Sequence, residues 1–224
     1  MASYRLNIAR IRGCPPPEEL AEALEAYSLP EEDEFGVLNH SATPQAAFGT
    51  VVRKVQQAVQ RLDVKAREVT AEAVEKVQVY PFGAFPGSER LEIYAGALSG
   101  IEQMGVFFGS CLALPTVVDA IEIDIASALD KLAERTERFQ LRSVRINDYA
   151  HNSYMSGPYA PKFLDSQHGR DFLEEFAEFV TAASVRFAVP GGRANVKLGG
   201  AACFGFSCNE DDRPAVQAIL RKLI

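Results

Sequence analysis

Two histidines, a lysine and three tyrosines fall within one stretch of the chain, since Tyr149, His151, Tyr154, Tyr159, Lys162 and His168 all lie between Asn147 and Gly169. Imidazole titrates near neutral pH, so a pair of histidines can act as base and then acid, while an ammonium group stabilises negative charge developing on a phosphodiester. His151, Lys162 and His168 are therefore the candidate catalytic set of a metal-independent nuclease or phosphodiesterase. The same stretch also supports binding without turnover. Tyr149, Tyr154 and Tyr159 can stack on bases while Arg142, Arg145 and Lys162 meet phosphates. A third reading has the segment fold down on its own tyrosines as a compact loop and do nothing else.

A second concentration of chemistry is electrostatic. Arg53, Lys54, Arg61, Lys65 and Arg67 stand against a single carboxylate, Asp63, in a chain whose formal net charge is −7. Any contact with a polyanion must come from such a local patch, because the molecule as a whole lacks the basic footprint of most nucleic-acid binders. Gly191-Gly192 and Gly199-Gly200 bracket Arg193 and Lys197. That pattern matches neither the phosphate loop nor the dinucleotide fingerprint, so it reads first as a tight hairpin with a glycine-weakened strand, and second as a surface where backbone N–H groups approach a phosphate.

No metal site or cofactor is expected. Cys203 and Cys208 are five apart, which in an extended strand sends their side chains to opposite faces. Three histidines in the whole chain offer little to a His-rich centre. Nucleophile elbows, the His-Glu-x-x-His pattern and the calcium loop are absent. The four cysteines, at 14, 111, 203 and 208, lack framework spacing and read as reduced thiols. The first residues lack the basic start and apolar core of a secretory signal, and the longest uncharged apolar run, Met104 to Val118, is shorter than the ~20 residues that cross a bilayer. A cytoplasmic protein with no membrane contact is the expectation.

The elements that must position these residues follow from periodicity. Tyr4, Leu6 and Ile8 alternate as a strand, and a short amphipathic helix runs from Pro17 to about Leu29 before a solvated acidic loop at Glu31 to Glu34. Residues 44 to 80 fit both a helical stripe (Val52, Val55, Val59, Leu62) and a long β-hairpin turning at 63 to 68; the hairpin is preferred. A strand at Leu91 to Tyr94, a helix from Ile101 to Leu114, a strand at Ile121 to Ile125 and a helix from Ser127 to Arg138 follow. The last third reads as a strand from Phe139 to Ile146, a long loop from Asn147 to Gly169, a helix from Asp171 to Thr181 with Phe172, Phe176 and Phe179 inward, strands at Val185 to Val189 and Asn195 to Cys208, and a closing helix from Pro214 to Leu223. The class is α+β, mixed α/β with antiparallel hairpins, as one large or two small fused domains. The best single cut lies at residue 138, giving regions 1–138 and 139–224. The leading functional expectation is a non-catalytic recognition protein that meets nucleic acid or another protein, with the nuclease and a structural subunit of a larger assembly as alternatives.

Overall fold

The computed structural model describes residues 1–27, 33–64, 67–96, 99–152 and 155–224. The fold is α+β, with five α-helices and eleven strands among those residues. It divides into two compact units, Met1–Ala9 with Ala120–Ile224, and Arg10–Asp119. The cut placed at 138 from composition falls inside the first of these. Strand β1 (Ala2–Arg12) contributes to both units, and its pairing with a strand two hundred residues away is a non-local fact that composition does not carry.

In the first unit, β1 is followed by α3 (Ile125–Arg135), β7 (Gln140–Asn152), β8 (Met155–Tyr159), α4 (Ser166–Phe176), β9 (Val180–Val189), β10 (Gly192–Gly199), β11 (Cys203–Cys208) and α5 (Arg213–Arg221). The antiparallel order is β1-β11-β10-β9-β7-β8. Alternation along β9, β10 and β11 gives this sheet one apolar face. Leu6, Val185, Phe187, Val196, Leu198, Phe204 and Phe206 are buried, together with Leu129 and Leu132 of α3 and Val216 and Leu220 of α5. Burying side chains of this size contributes about 1.5 to 3 kcal/mol each. Helices α3 and α4 contact β9 and β7, and Arg213 of α5 lies over the Tyr4 ring at 4.9 Å, so helices cover the apolar face. The other face is open to solvent over much of its area, as is common in antiparallel sheets, although Asn7 at the β1 edge of it is buried.

The second unit holds α1 (Pro17–Ala26), β2 (Phe35–Thr43), β3 (Ala46–Asp63), β4 (Glu68–Phe85), β5 (Arg90–Ile93), α2 (Ser99–Val106) and β6 (Val117–Ala120), in the strand order β2-β3-β4-β5-β1 with β6 also on β1. Residues 44 to 80 form the hairpin, with β3 and β4 in register from Ala47↔Ala84 to Asp63↔Glu68. Strand β2 pairs with β3 only as far as Arg53, and β5 reaches β4 only at Phe82. From Val55↔Lys76 to Asp63↔Glu68 the two strands therefore form a ribbon paired only with each other among the described residues.

Several sequence expectations are corrected. The stretch from Asn147 to Gly169 is not one long loop: β7 continues to Asn152, β8 returns alongside it, and α4 starts at Ser166. Turn-forming Ser, Gly and Pro residues hid a short strand whose register shifts twice against β7. Ile121 to Asp124 is not a strand; the pairing segment lies earlier, in β6, and α3 begins directly after Asp124, whose carboxylate accepts the N–H groups of Ala126 and Ser127. Helix α2 ends at Val106 and passes into a π-helical turn at Phe107–Cys111. The expected strand from Asn195 to Cys208 is two strands. Phe179 lies beyond α4 in a 3₁₀ turn and is exposed. Strand β2 went unseen, because only its first three residues are buried and alternation fails beyond them.

Candidate polyanion-binding face

Of the three expected catalytic residues, the structure describes the side chains of Lys162 and His168. Asp165 caps α4, accepting the N–H groups of Gln167 and His168 at 3.0 Å each, and its other oxygen lies 2.7 Å from Nδ1 of His168. The His168 backbone N–H, and then its imidazole, hold the Asp165 carboxyl below the usual carboxylate range. His168 is thus committed to an exposed helix cap. Lys162 is exposed and sits opposite Ser143 at an isolated bridge to β7. His151 belongs to β7 and its side chain lies outside the described residues, as do Lys65 and Tyr154 entirely. A folded-state pKa held down stabilises the protein above the unfolded value, near 4, and that stabilisation is lost as pH falls through the lower folded value. Asp165→Ala is accordingly expected to lower the melting temperature at pH 7 and to make progressively less difference as pH drops below about 4; a pH-independent difference between the two melting curves would contradict the assignment.

Tyr149 and Tyr159 are half-buried and packed against other rings. Tyr149 stacks on Tyr159 with centroids 4.7 Å apart, Tyr149 also meets Phe176 at 5.6 Å, and Tyr159 meets Phe172 at 6.2 Å. Phe172 in turn touches Phe163 and Phe176, at 5.6 and 4.7 Å. One aromatic cluster under α4 accounts for all five rings. Bases would have to compete with that packing.

Strand pairing also alters the charge of the basic hairpin. Arg53 pairs with Glu34 and lies over the Phe35 ring, and Arg61 pairs with Glu72 at 3.2 Å. Register sets Glu68, Glu72 and Glu75 of β4 beside the basic residues of β3. The described cations of this stretch thus belong to a mixed surface in space.

A different surface carries unbalanced charge. On the open face of the first unit, Gln140, Arg186, Asn195, Ser207 and Ser3 form one row across five strands. Ser143, Ser184, Lys197, Gly205 and Arg5 form the next. Within the first row Arg186 Nε donates to Asn195 Oδ1 at 2.8 Å, and Asn195 Nδ2 donates to Ser207 Oγ at 3.4 Å, so a hydrogen-bonded chain spans three strands. Arg145, Arg193 and Lys197 are exposed, and Arg142 is exposed at the bulge between Leu141 and Ser143. No Asp or Glu occurs in residues 2–9 of β1, 140–147 of β7, or anywhere in β9, β10 and β11. Helices α3 and α4 carry Asp130, Glu134, Asp171, Glu174 and Glu175, and β7 carries Asp148 beyond residue 147.

No protein-family model matches this chain, and no curated protein is similar to it. The chemistry of the site therefore rests on its own geometry.

Among the described residues no group of three or more His, Cys, Asp and Glu side chains is placed to hold a metal ion. Cys203 is half-buried on the open side of β11 and Cys208 is buried on the core side; burial raises both thiols. Burial also pushes the Cys14 thiol up to about 11. Since the thiolate is the reactive form, Cys14 is expected to react with an alkylating reagent at pH 8 much more slowly than a free thiol does, as followed by mass spectrometry.

Of the face residues, Arg142 and Arg145 were recognised from sequence, and Arg193 with Lys197 entered only as a glycine-bracketed pair. Arg5 and Arg186 were missed. The available signal was period-two placement: Ser3 and Arg5, Ser184 and Arg186, and Arg193, Asn195 and Lys197 each alternate with apolar or aromatic residues.

Proposed function

We propose that this chain is a non-catalytic recognition protein that binds the phosphate backbone of a nucleic acid across the open face of the first unit. The observation that carries the reading is the face's composition, with arginines and a lysine at alternate positions and no carboxylate in β9, β10 or β11, in residues 2–9 of β1 or in residues 140–147 of β7. Serine, asparagine and glutamine between the cations are ordinary phosphate and sugar ligands. Cys203 and the glycines and alanines that fill the rest of the face offer nothing to stack on a base, so recognition is of backbone and largely independent of sequence. Binding without turnover fits the placement of His168 in a helix cap.

The test is a titration of labelled single- and double-stranded DNA and RNA, with and without chelator, against salt. Arg145→Gln with Lys197→Gln is expected to flatten log K against log salt by about 0.9 per lost phosphate contact on duplex and about 0.7 on single strands. An unchanged slope, or no binding by the wild type at low salt, would remove nucleic acid from the reading. Cleavage that survives chelator would return it to the nuclease alternative.

The ribbon favours the second reading, a subunit of a larger assembly. Leu62, Val69 and Val77 are 66%, 63% and 53% exposed, and an open apolar edge of this length invites strand pairing. Pairing β4 with its own copy about Val74 sets Glu72 opposite Lys76 on both sides of the axis. Sedimentation should then show a dimer that Lys76→Glu dissociates; a wild-type monomer at high concentration would end this reading.

A further inference from the structure

At one end of the open face lies a cavity of about 340 Å³, lined by Arg138, Gln140, Arg186, Gly192 and Arg193 along with Phe139, Phe187 and Ala188. No Asp or Glu lines it, and no ion pair joins any of its three arginines to a carboxylate among the described residues. Three arginines lining one small space without a counter-charge set like charges near one another, at a cost that grows where protein displaces water. An anion converts that repulsion into attraction.

The Arg186 side chain and the backbone that carries Arg138 and Arg193 are also held in place. Arg186 is fixed by its bond to Asn195. Arg193 follows the Gly191-Gly192 turn, which is clamped from both sides: Gly191 N–H donates to buried Asp212 at 2.8 Å, and Asn209 Nδ2 donates to the Gly191 carbonyl at 2.6 Å. A Cβ at position 191 would come within 2.6 Å of Asp212 Oδ2, so the turn leaves no room for a side chain. Arg138 adopts φ +52°, a left-handed backbone that glycine accepts and arginine does not favour. The preceding carbonyl, of Glu137, accepts the Ala188 N–H at 2.9 Å, tying this segment to β9. A non-glycine residue kept in that conformation at the lip of a cavity is the kind of strain that persists at ligand sites.

We propose that this cavity binds a phosphomonoester group. Guanidinium forks match the geometry of phosphate oxygens in paired hydrogen bonds. A monoester carries about −1.5 to −2 charge at neutral pH, against −1 for the diester of a nucleic-acid backbone, so a cavity lined by three arginines selects the end of a strand over its interior. The volume is at the low end of the roughly 300 to 1,000 Å³ usual for ligand sites, enough for a phosphorylated terminus and too little for an extended cofactor. Taking a polymer end as the source rests on the backbone-binding reading above; the site itself does not need it.

The experiment compares oligonucleotides of one length bearing a terminal phosphate or a hydroxyl, at the 5′ and at the 3′ end, with a mononucleotide and inorganic phosphate as competitors. A preference of roughly tenfold or more for the phosphorylated end is expected, of the size given by one charge-assisted pair. It should vanish in Arg138→Gln with Arg193→Gln, while Arg145→Gln with Lys197→Gln weakens both oligonucleotides equally. Arg138→Gly supplies the second arm: glycine suits φ +52°, so the melting temperature should not fall, yet the preference should be lost. If oligonucleotides fail to bind but the mononucleotide does, and Arg138→Gln abolishes it, the site stands with a small phosphorylated molecule as its ligand and the polymer reading falls. Equal affinity for phosphate and hydroxyl ends with no competition by the mononucleotide would overturn the proposal, as would loss of the preference only in variants that also unfold.

Discussion

Replacing Tyr149 and Tyr159 together by alanine should lower the melting temperature by roughly 10 °C, because these two rings are packing elements of the first unit. They stack on each other and join Phe172 and Phe176 of α4. Truncating a buried aromatic costs about 3 to 5 kcal/mol. Both tyrosines are half-buried, so the pair together is placed in that range. In a chain of this length each kcal/mol moves the midpoint by about 2 to 4 °C. Tyr159→Phe keeps the ring and should recover most of the loss. Thermal melts decide the matter: a double variant that melts like the wild type but binds oligonucleotide more weakly would mean that the tyrosines serve a ligand after all.

Gly13→Ala is expected to be equally severe for a different reason. Gly13 has φ +69°, and a Cβ there would lie 2.2 Å from the carbonyl oxygen of Pro115. That oxygen belongs to backbone and cannot rotate away, and Thr116 Oγ1 donates to the Gly13 carbonyl at 3.4 Å, so the two segments are already close. Left-handed strain of about 1 to 2 kcal/mol adds to an overpacking cost of about 1 to 3 kcal/mol. Gly87 provides the control, since a Cβ there meets nothing within 4 Å. Urea unfolding should show Gly13→Ala shifted well down and Gly87→Ala close to the wild type; similar midpoints for the two would refute the steric argument.

The class of fold and most strands were legible because alternation is local. Tyr4, Leu6 and Ile8 announced β1, and the valines flanking a polar turn announced the β3–β4 hairpin, although a helical stripe competed until the pairing was known. What escaped was whatever depended on neighbours distant in sequence. Glu68, Glu72 and Glu75 follow the basic stretch in sequence but lie alongside it in space, so the charge of that stretch could not be judged from its own composition. The reverse held for the open face, where Arg5, Arg186 and Lys197 are far apart along the chain and adjacent only through the registers of β1, β11, β10 and β9. The loop from Asn147 to Gly169 misled for a third reason. Its polar residues are those of a bulged edge hairpin and a helix cap, and both share a turn's composition.

For the proposed polyanion binding, the placing of helical carboxylates behind the basic strands makes the range of electrostatics, rather than its strength, the controlling variable. The helical carboxylates stand one layer behind the basic strands, about 10 Å away if the spacing is that of ordinary packed layers. At physiological ionic strength the Debye length is about 8 Å, so a polyanion resting on the strands scarcely feels them. At about 0.01 M it is about 30 Å, and the negative layer then acts through the sheet against the same polyanion. Lowering salt thus strengthens attraction and repulsion together. A log–log plot of affinity against salt, straight for a uniformly basic protein, should bend over at its dilute end for this one, and replacing Asp130 and Glu134 by Gln should straighten it.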